Sequence, residues 1–156
     1  MMKNGDKAPD FTLYDDAKKA FHLYDVLDKG PVVLLFFPAA FTGTCTTELN
    51  EVNNDLDAYA QATVVGISTD TPFTLAEYSK VNGLKFPLLS DHDALTSSEY
   101  KTRYDLGFTG MGYTRIAKRS AFVIDSARTI RYAEVLENAS HIPDLNAIKN
   151  LLSSLK

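Results

Sequence analysis

The chain of 156 residues has the length of one domain and can bury a sizeable core. Its 45% hydrophobic and 23% charged residues are ordinary for a globular protein, and 16 basic against 20 acidic residues give a formal charge of −4. No Lys/Arg cluster supports nucleic-acid binding, and no apolar run is long enough for a membrane span or a signal-peptide core.

The N-terminal part of the chain predicts a hairpin followed by a buried strand and a helix. Residues 9–14 and 20–24 are short apolar pieces on either side of turn residues, and residues 25–29 form a single helical turn. Residues 32–37 are an unbroken apolar run with the length of a strand buried on both faces. Apolar residues at helical spacings then predict a helix to about residue 60.

The middle of the chain continues the alternation of strand and helix. Residues 63–68 predict a strand. Asp70 or Thr71 caps the next helix, which has Pro72 at its first position and runs to about Val81. Residues 86–89 form a short strand near a sheet edge, because a proline within it cannot donate a ladder hydrogen bond.

The C-terminal part predicts two helices around a pair of strands. The capping-box spacing from Thr96 to Glu99 opens a helix to about Tyr104. Residues 105–117 have no clear period and three glycines, which predicts a loop that borders the site. Residues 120–125 and 129–136 predict two strands, and a last helix follows residue 143.

This order of elements predicts one α/β domain over residues 1–156. Alternating strands and helices with a terminal hairpin give a three-layer sandwich around a mixed sheet. We find no internal repeat, low-complexity tract or interdomain linker in the sequence.

Cys45, the single cysteine of the sequence, falls in the first turn of the predicted helix. Free N–H groups and the helix dipole favour a thiolate there, and cysteines in such positions have pKa values of about 3.5–7.5 instead of about 8.5. The alternative is a small buried hydrophobe, which is the usual state of a free cysteine. One cysteine excludes an internal disulfide and favours a reducing compartment, so we expect a cytoplasmic protein.

Several residues can assist such a sulfur, and the pattern alone does not select among them. Thr42 can offer a hydroxyl, but it also suits a helix N-cap. Arg103, Arg115 and Arg119 are equally plausible cations from the residues alone. None of the histidines (His22, His92 and His141) lies near Cys45 in sequence, and no spacing indicates a metal or another cofactor.

The segment from Pro38 to Cys45 follows the apolar strand and reads P-x-x-x-T-x-x-C, with Thr42 at its centre. It resembles the active-site signature of the peroxiredoxins, which are thiol peroxidases on a thioredoxin-like fold. Further segments are similar to the family in the same order: Gly5–Phe11, Gly30–Leu34, Val65–Asp70 and Arg119–Asp125. Together the matches extend over nearly the whole chain.

The resemblance implies a function as an antioxidant thiol-dependent peroxidase without a cofactor. Cys45 attacks hydrogen peroxide or an alkyl hydroperoxide and becomes a sulfenic acid. Arg119 is selected among the arginines, and it favours the thiolate and stabilises the leaving oxygen. Thr42 orients the sulfur and binds the peroxide, and Pro38 shields the site. Glu48 resembles an acidic residue that orients the arginine, so we expect it to face a cation.

Departures from the family pattern indicate a one-cysteine member. Position 50, where some relatives have a resolving cysteine, is asparagine, and no cysteine follows. An outside thiol must then reduce the sulfenic acid: a small thiol, or a glutaredoxin-like or thioredoxin-like protein. A homodimer is possible. Residues 137–141 contain no second arginine, so the number of arginines at the site stays open.

Two other functions compete with the peroxidase. One is thiol–disulfide exchange or glutathionylation at Cys45, for which Arg119 and Thr42 would matter little. The other is a non-catalytic thioredoxin-like interaction module, which predicts an ordinary thiol with slow alkylation.

Overall fold

In the computed structural model, which describes residues 1–155, seven strands form one mixed sheet. The strands are β1 (Thr12–Asp15), β2 (Ala20–His22), β3 (Val32–Phe36), β4 (Thr63–Ser68), β5 (Leu88–Ser90), β6 (Ser120–Ile124) and β7 (Ile130–Val135). The helices are α1 (Leu23–Leu27), α2 (Gly43–Asn54), α3 (Pro72–Asn82), α4 (Leu95–Glu99) and α5 (Leu145–Ser154). The order across the sheet is β2-β1-β5-β4-β3-β6-β7.

Strand β3 lies inside the sheet, because its side chains are apolar on both faces and all of them are buried. It pairs in parallel with β4 and antiparallel with β6. The register places Phe36 beside both Ile67 and Ser120. The segments that follow β3 and β4 therefore meet the segment that precedes β6 at one end of the strands.

Apolar layers cover both faces of the sheet, and alternate residues of β3 contribute to each. One layer contains Leu49 of α2, Leu75 of α3 and Ile148 of α5. The other contains Leu23 of α1 and Tyr100, which follows α4. The predicted three-layer sandwich with a mixed sheet and an N-terminal hairpin is thus confirmed. None of the helices within the described residues is long and apolar enough to cross a lipid bilayer.

The helix predicted to reach residue 60 is shorter than expected. Helix α2 ends at Asn54, because Asp55 leaves the helical region with φ −121° and ψ 30°. A separate 3₁₀ turn, Leu56–Tyr59, follows and still buries Tyr59.

The prediction of an edge strand around Pro87 was wrong. Strand β5 lies between β1 and β4, inside the sheet. Pro87 comes just before it and uses only its carbonyl, which accepts from the Gly66 N–H at 3.1 Å. The missing N–H is therefore not needed for the ladder.

The predicted capping box at Thr96 was also wrong, because another residue caps this helix. Helix α4 begins at Leu95, after Ala94 in the left-handed region (φ 59°), and ends at Glu99. The carboxylate of Asp91 accepts from the N–H groups of Thr96 at 3.1 Å and Ser97 at 2.7 Å. The helix is five residues long, and Tyr100, which follows it, is buried in the core.

Candidate active site

Helix α2 begins directly after the loop that leaves β3, and this places Cys45 in its first turn. The cysteine side chain is 1% exposed. It nevertheless lines an open cavity of about 230 Å³, together with Pro38, Thr42, Phe108 and Arg119. The sulfur is therefore buried by its neighbours but can be reached by a small molecule from solvent.

Arg119 directly precedes β6, and the pairing of β6 with β3 brings it to the sulfur. It is also 1% exposed. Its Nη2 donates to Cys45 Sγ at 3.2 Å and to the Ala139 carbonyl at 3.0 Å. Its Nη1 donates to Glu48 Oε1 at 2.8 Å. Burial lowers the pKa of Arg119, but the neighbouring charges of Cys45 and Glu48 outweigh it and leave the pKa raised, so the guanidinium stays a cation.

Glu48 lies in α2, fully buried, and faces the cation as the sequence led us to expect. Burial raises the pKa of this carboxyl to about 7, although the charge of Arg119 pulls in the other direction. Within the described residues, Glu48 Oε2 and Arg119 Nε are the buried side-chain polar atoms without a hydrogen-bond partner. The pair is thus held by a single hydrogen bond, and Glu48 is its titrating member near neutral pH.

Thr42 occupies the N-cap position, but its side chain does not cap the helix. Its hydroxyl instead donates to the Ala39 carbonyl at 2.8 Å. Since a hydroxyl has one proton and two lone pairs, Thr42 is left as an acceptor toward the cavity that it lines. Pro38 lines the same cavity and has no N–H to offer.

The other candidate side chains point elsewhere. Arg103 donates to Ser98 Oγ at 3.4 Å, and Arg115 pairs with Asp93 at 3.0 Å. His22, which is far from Cys45 in the sequence, lies between the carboxylates of Asp10 and Asp25. None of these three lines the cavity of Cys45. In residues 1–155 we find no group of three or more His, Cys, Asp or Glu side chains suited to a metal ion.

The segment after β7 supplies a backbone group that sequence reasoning missed. Residues 137–141 contain no arginine. This segment instead contributes the Ala139 carbonyl, which accepts from Arg119. The predicted loop of residues 105–117 does border the site, through Phe108. No side-chain pattern can reveal a carbonyl contact of this kind, because every residue carries the same group.

Comparisons with known proteins identify the family of the chain. The AhpC/TSA family model matches residues 4–133. Alkyl hydroperoxide reductase E of Mycobacterium tuberculosis is 34% identical over 140 residues, which cover 86% of this chain and 86% of that protein. Thiol peroxidase of Oceanobacillus iheyensis is 29% identical over 152 residues, covering 97% and 88%. The crystal structure of peroxidoxin BcpB from M. tuberculosis superposes with a TM-score of 0.87 at 31% identity, covering 100% and 99% of the two chains.

A thioredoxin-like fold that holds a helix-borne cysteine against a buried arginine defines the peroxiredoxins, a class of thiol-dependent peroxidases. The chain belongs to the AhpC/TSA family of that class. The predicted fold class and peroxidase activity are thereby confirmed, and its one cysteine fits a one-cysteine member. The roles of individual residues stay predictions.

Proposed function

We propose that Cys45 is the nucleophile that reduces hydrogen peroxide and alkyl hydroperoxides, and that Arg119 and Thr42 are its catalytic partners. The observation that carries the proposal is the 3.2 Å contact between Arg119 Nη2 and Cys45 Sγ at the wall of a small open cavity. A buried cation that donates to the sulfur favours the thiolate, which is the reactive form.

The reaction follows from this arrangement. The thiolate attacks the terminal oxygen of the peroxide, an S–O bond forms, and the O–O bond breaks. The electron pair of the broken bond leaves with the second oxygen, which takes one proton from solvent and departs as water or an alcohol. The guanidinium of Arg119 stabilises the charge that grows on this oxygen. Cys45 keeps the terminal oxygen and its hydrogen as a sulfenic acid.

Thr42 serves the peroxide rather than the sulfur. Because its proton is donated to Ala39, its oxygen accepts the O–H of the incoming peroxide and turns the terminal oxygen toward Sγ. The absence of an N–H at Pro38 removes a competing donor from the same wall.

Regeneration requires thiols from outside the chain, because the sequence has no second cysteine. One thiol attacks the sulfenic sulfur and releases water, which leaves a mixed disulfide at Cys45. A second thiol then releases the Cys45 thiol and leaves as a disulfide with the first. The open cavity of about 230 Å³ that Cys45 lines is where such a thiol would reach the sulfenic acid. A homodimer and a cytoplasmic location stay predictions from the sequence.

A Thr42→Val variant tests the proposal, with Thr47→Val as its matched control. Thr47 lies on the same helix, and its hydroxyl also donates to a backbone carbonyl, that of Gly43. We expect Thr42→Val to lower kcat/KM for hydrogen peroxide about tenfold or more, or ~1.4 kcal/mol, with alkylation of Cys45 by iodoacetamide nearly unchanged. Thr47→Val leaves both rates unchanged.

A second experiment tests the nucleophile itself. Reduced protein consumes one equivalent of peroxide and gives a sulfenate at Cys45 that a dimedone probe traps. Cys45→Ser gives neither. Equal peroxide consumption by Cys45→Ser contradicts the proposal, and so does a Thr42→Val variant that reacts as fast as the parent.

A further inference from the structure

The loop between β3 and α2 contains a strained residue directly before the catalytic threonine. Phe41 has φ 66°, a conformation that a non-glycine residue with a bulky side chain rarely adopts. The Phe41 ring is held by Tyr78 of α3, with ring centroids 5.1 Å apart in a T-shaped pair. Such a loop needs further contacts to hold its backbone in one conformation.

Asp70, which follows β4, provides such a contact. Its Oδ2 accepts from the Ala40 N–H at 2.8 Å and from Ser68 Oγ at 2.7 Å. The Asp70 carbonyl accepts from Ser90 Oγ of β5 at 2.6 Å, so two neighbouring strands hold this residue. Helix α3 has Thr71 as its N-cap, which leaves the Asp70 carboxylate free to face the loop.

The hydrogen bond of Asp70 and that of Thr42 involve the same peptide group of the loop. The Ala40 N–H that donates to Asp70 and the Ala39 carbonyl that accepts from Thr42 at 2.8 Å belong to the same peptide unit. A carboxylate on the N–H side fixes the plane of this peptide and polarises its carbonyl. The carbonyl therefore holds the Thr42 proton more firmly, and the peptide cannot rotate away from the hydroxyl.

We infer that Asp70 is a positioning residue of the peroxidase site, which acts through the Ala39–Ala40 peptide to keep the Thr42 proton turned away from the cavity. This inference rests on the proposed role of Thr42. Without the carboxylate, the peptide is free to rotate, and the hydroxyl proton turns toward the sulfur or the peroxide. Thr42 then loses its function as an acceptor, although Cys45 and Arg119 keep their contact.

A double-mutant cycle of Asp70→Ala and Thr42→Val tests the inference. We expect Asp70→Ala to lower kcat/KM for hydrogen peroxide about fivefold to tenfold, up to ~1.4 kcal/mol. The alkylation rate of Cys45 changes less than about twofold, because Arg119 still contacts the sulfur. In the Thr42→Val background, Asp70→Ala causes no further loss. Asp70→Asn, which keeps an acceptor oxygen, restores most of the parent rate.

Asp125→Ala is the matched control, because its carboxylate, like that of Asp70, accepts from the backbone, here from the N–H groups of Ala127 and Thr129. It lies at the opposite end of β6 from Arg119, so it changes stability but leaves kcat/KM unchanged. If Asp70→Ala does not fold, Ser68→Ala takes its place, with a smaller loss that also vanishes in the Thr42→Val background.

Two results overturn the inference: a parent-like rate for Asp70→Ala, or losses from Asp70 and Thr42 that multiply in the double variant. A failure of the proposed function is a different result, since Thr42→Val alone would then keep the parent rate with Asp70 in place.

Discussion

The two faces of the sheet are both covered by apolar layers, but within the described residues only the site face contains a buried ion pair. On the face opposite the site, Phe36, Tyr100 and Phe122 pack ring against ring at centroid distances of 5.3–5.8 Å. The Tyr100 hydroxyl is satisfied there by the Pro9 carbonyl at 2.6 Å. On the site face, Glu48 and Arg119 are equally buried, yet each leaves one polar atom without a partner in the described residues.

This difference separates stability from function. An aromatic cluster with its polar group satisfied contributes to the free energy of unfolding through burial and packing. A buried ion pair with incomplete hydrogen bonding contributes little or costs stability, because desolvation opposes the attraction. In the proposed mechanism the buried ion pair of the site face serves the reaction, and the opposite face supports the fold that keeps it in place.

The largest expected effect concerns the aromatic face. Phe122→Ala removes a fully buried ring, and we expect it to lower the free energy of unfolding by about 3–5 kcal/mol. The reaction of the remaining folded protein with peroxide changes little, because Phe122 does not line the cavity. Urea denaturation and stopped-flow kinetics measure the two quantities. Phe73→Ala, at a side chain that is 70% exposed, is the control and stays within about 0.5 kcal/mol.

The second prediction concerns the face with the buried ion pair. Arg119→Ala removes the donor to the sulfur and, in the proposed mechanism, to the leaving oxygen, and we expect kcat/KM for peroxide to fall by about 10²–10³, or ~2.7–4 kcal/mol. Arg115→Ala is the control, because Arg115 lies nearby in sequence but pairs with Asp93 at the surface. A loss of less than tenfold in Arg119→Ala, or an equal loss in both variants, contradicts the proposed role.

Some parts of the site could be predicted from the sequence. The start of a helix follows from the local sequence pattern, so the first-turn position of Cys45 and the N-cap position of Thr42 could be predicted. The contact with Arg119 spans 74 residues, and local pattern left three arginines open until the family motif selected one. Long-range contacts of this kind depend on strand order, which local periodicity does not encode.

The features that the sequence did not predict involve backbone groups and a competing helix cap. The contacts of the Ala39–Ala40 peptide and of Ala139 involve groups that every residue carries, so no residue type marks them. In α4 the local capping signal at Thr96 was overridden by Asp91, whose carboxylate accepts from the N–H groups of Thr96 and Ser97 from outside the helix. Strand β5 was mispredicted as an edge strand because of Pro87. This residue contributes only its carbonyl, and its residue type does not reveal that.

A third prediction concerns how the free energy of unfolding depends on pH through Glu48 on the site face. The pKa of Glu48 is raised from 4.5 to about 7 by burial, so the folded state binds its proton more tightly than the unfolded chain. Its contribution to stability is therefore present at low pH and is lost as the pH rises from about 4.5 to 7. Relative to Glu48→Gln, the parent should gain on the order of 1–2 kcal/mol between pH 8 and pH 5.5.

Urea denaturation across this pH range measures the difference between the parent and Glu48→Gln. Glu51→Gln, an exposed position on the same helix, is the control and should run parallel to the parent. Parent and Glu48→Gln curves that stay parallel through this range would falsify the assignment of Glu48 as the titrating member of the pair.

The smallest expected effect concerns a surface ion pair whose N–O distance is nearly that of the buried Arg119–Glu48 pair. Lys149 and Asp55 are 2.7 Å apart with side chains 28% and 52% exposed, whereas Arg119 and Glu48 are 2.8 Å apart and 2% and 0% exposed. A cycle of Lys149→Met and Asp55→Asn should give a coupling of about 0.2–1 kcal/mol in the free energy of unfolding, because water screens the charges. Added salt should reduce this coupling further, while it leaves the buried pair nearly unaffected. A surface coupling that equals that of Glu48 and Arg119 and resists salt would show that burial does not set the difference between the two faces.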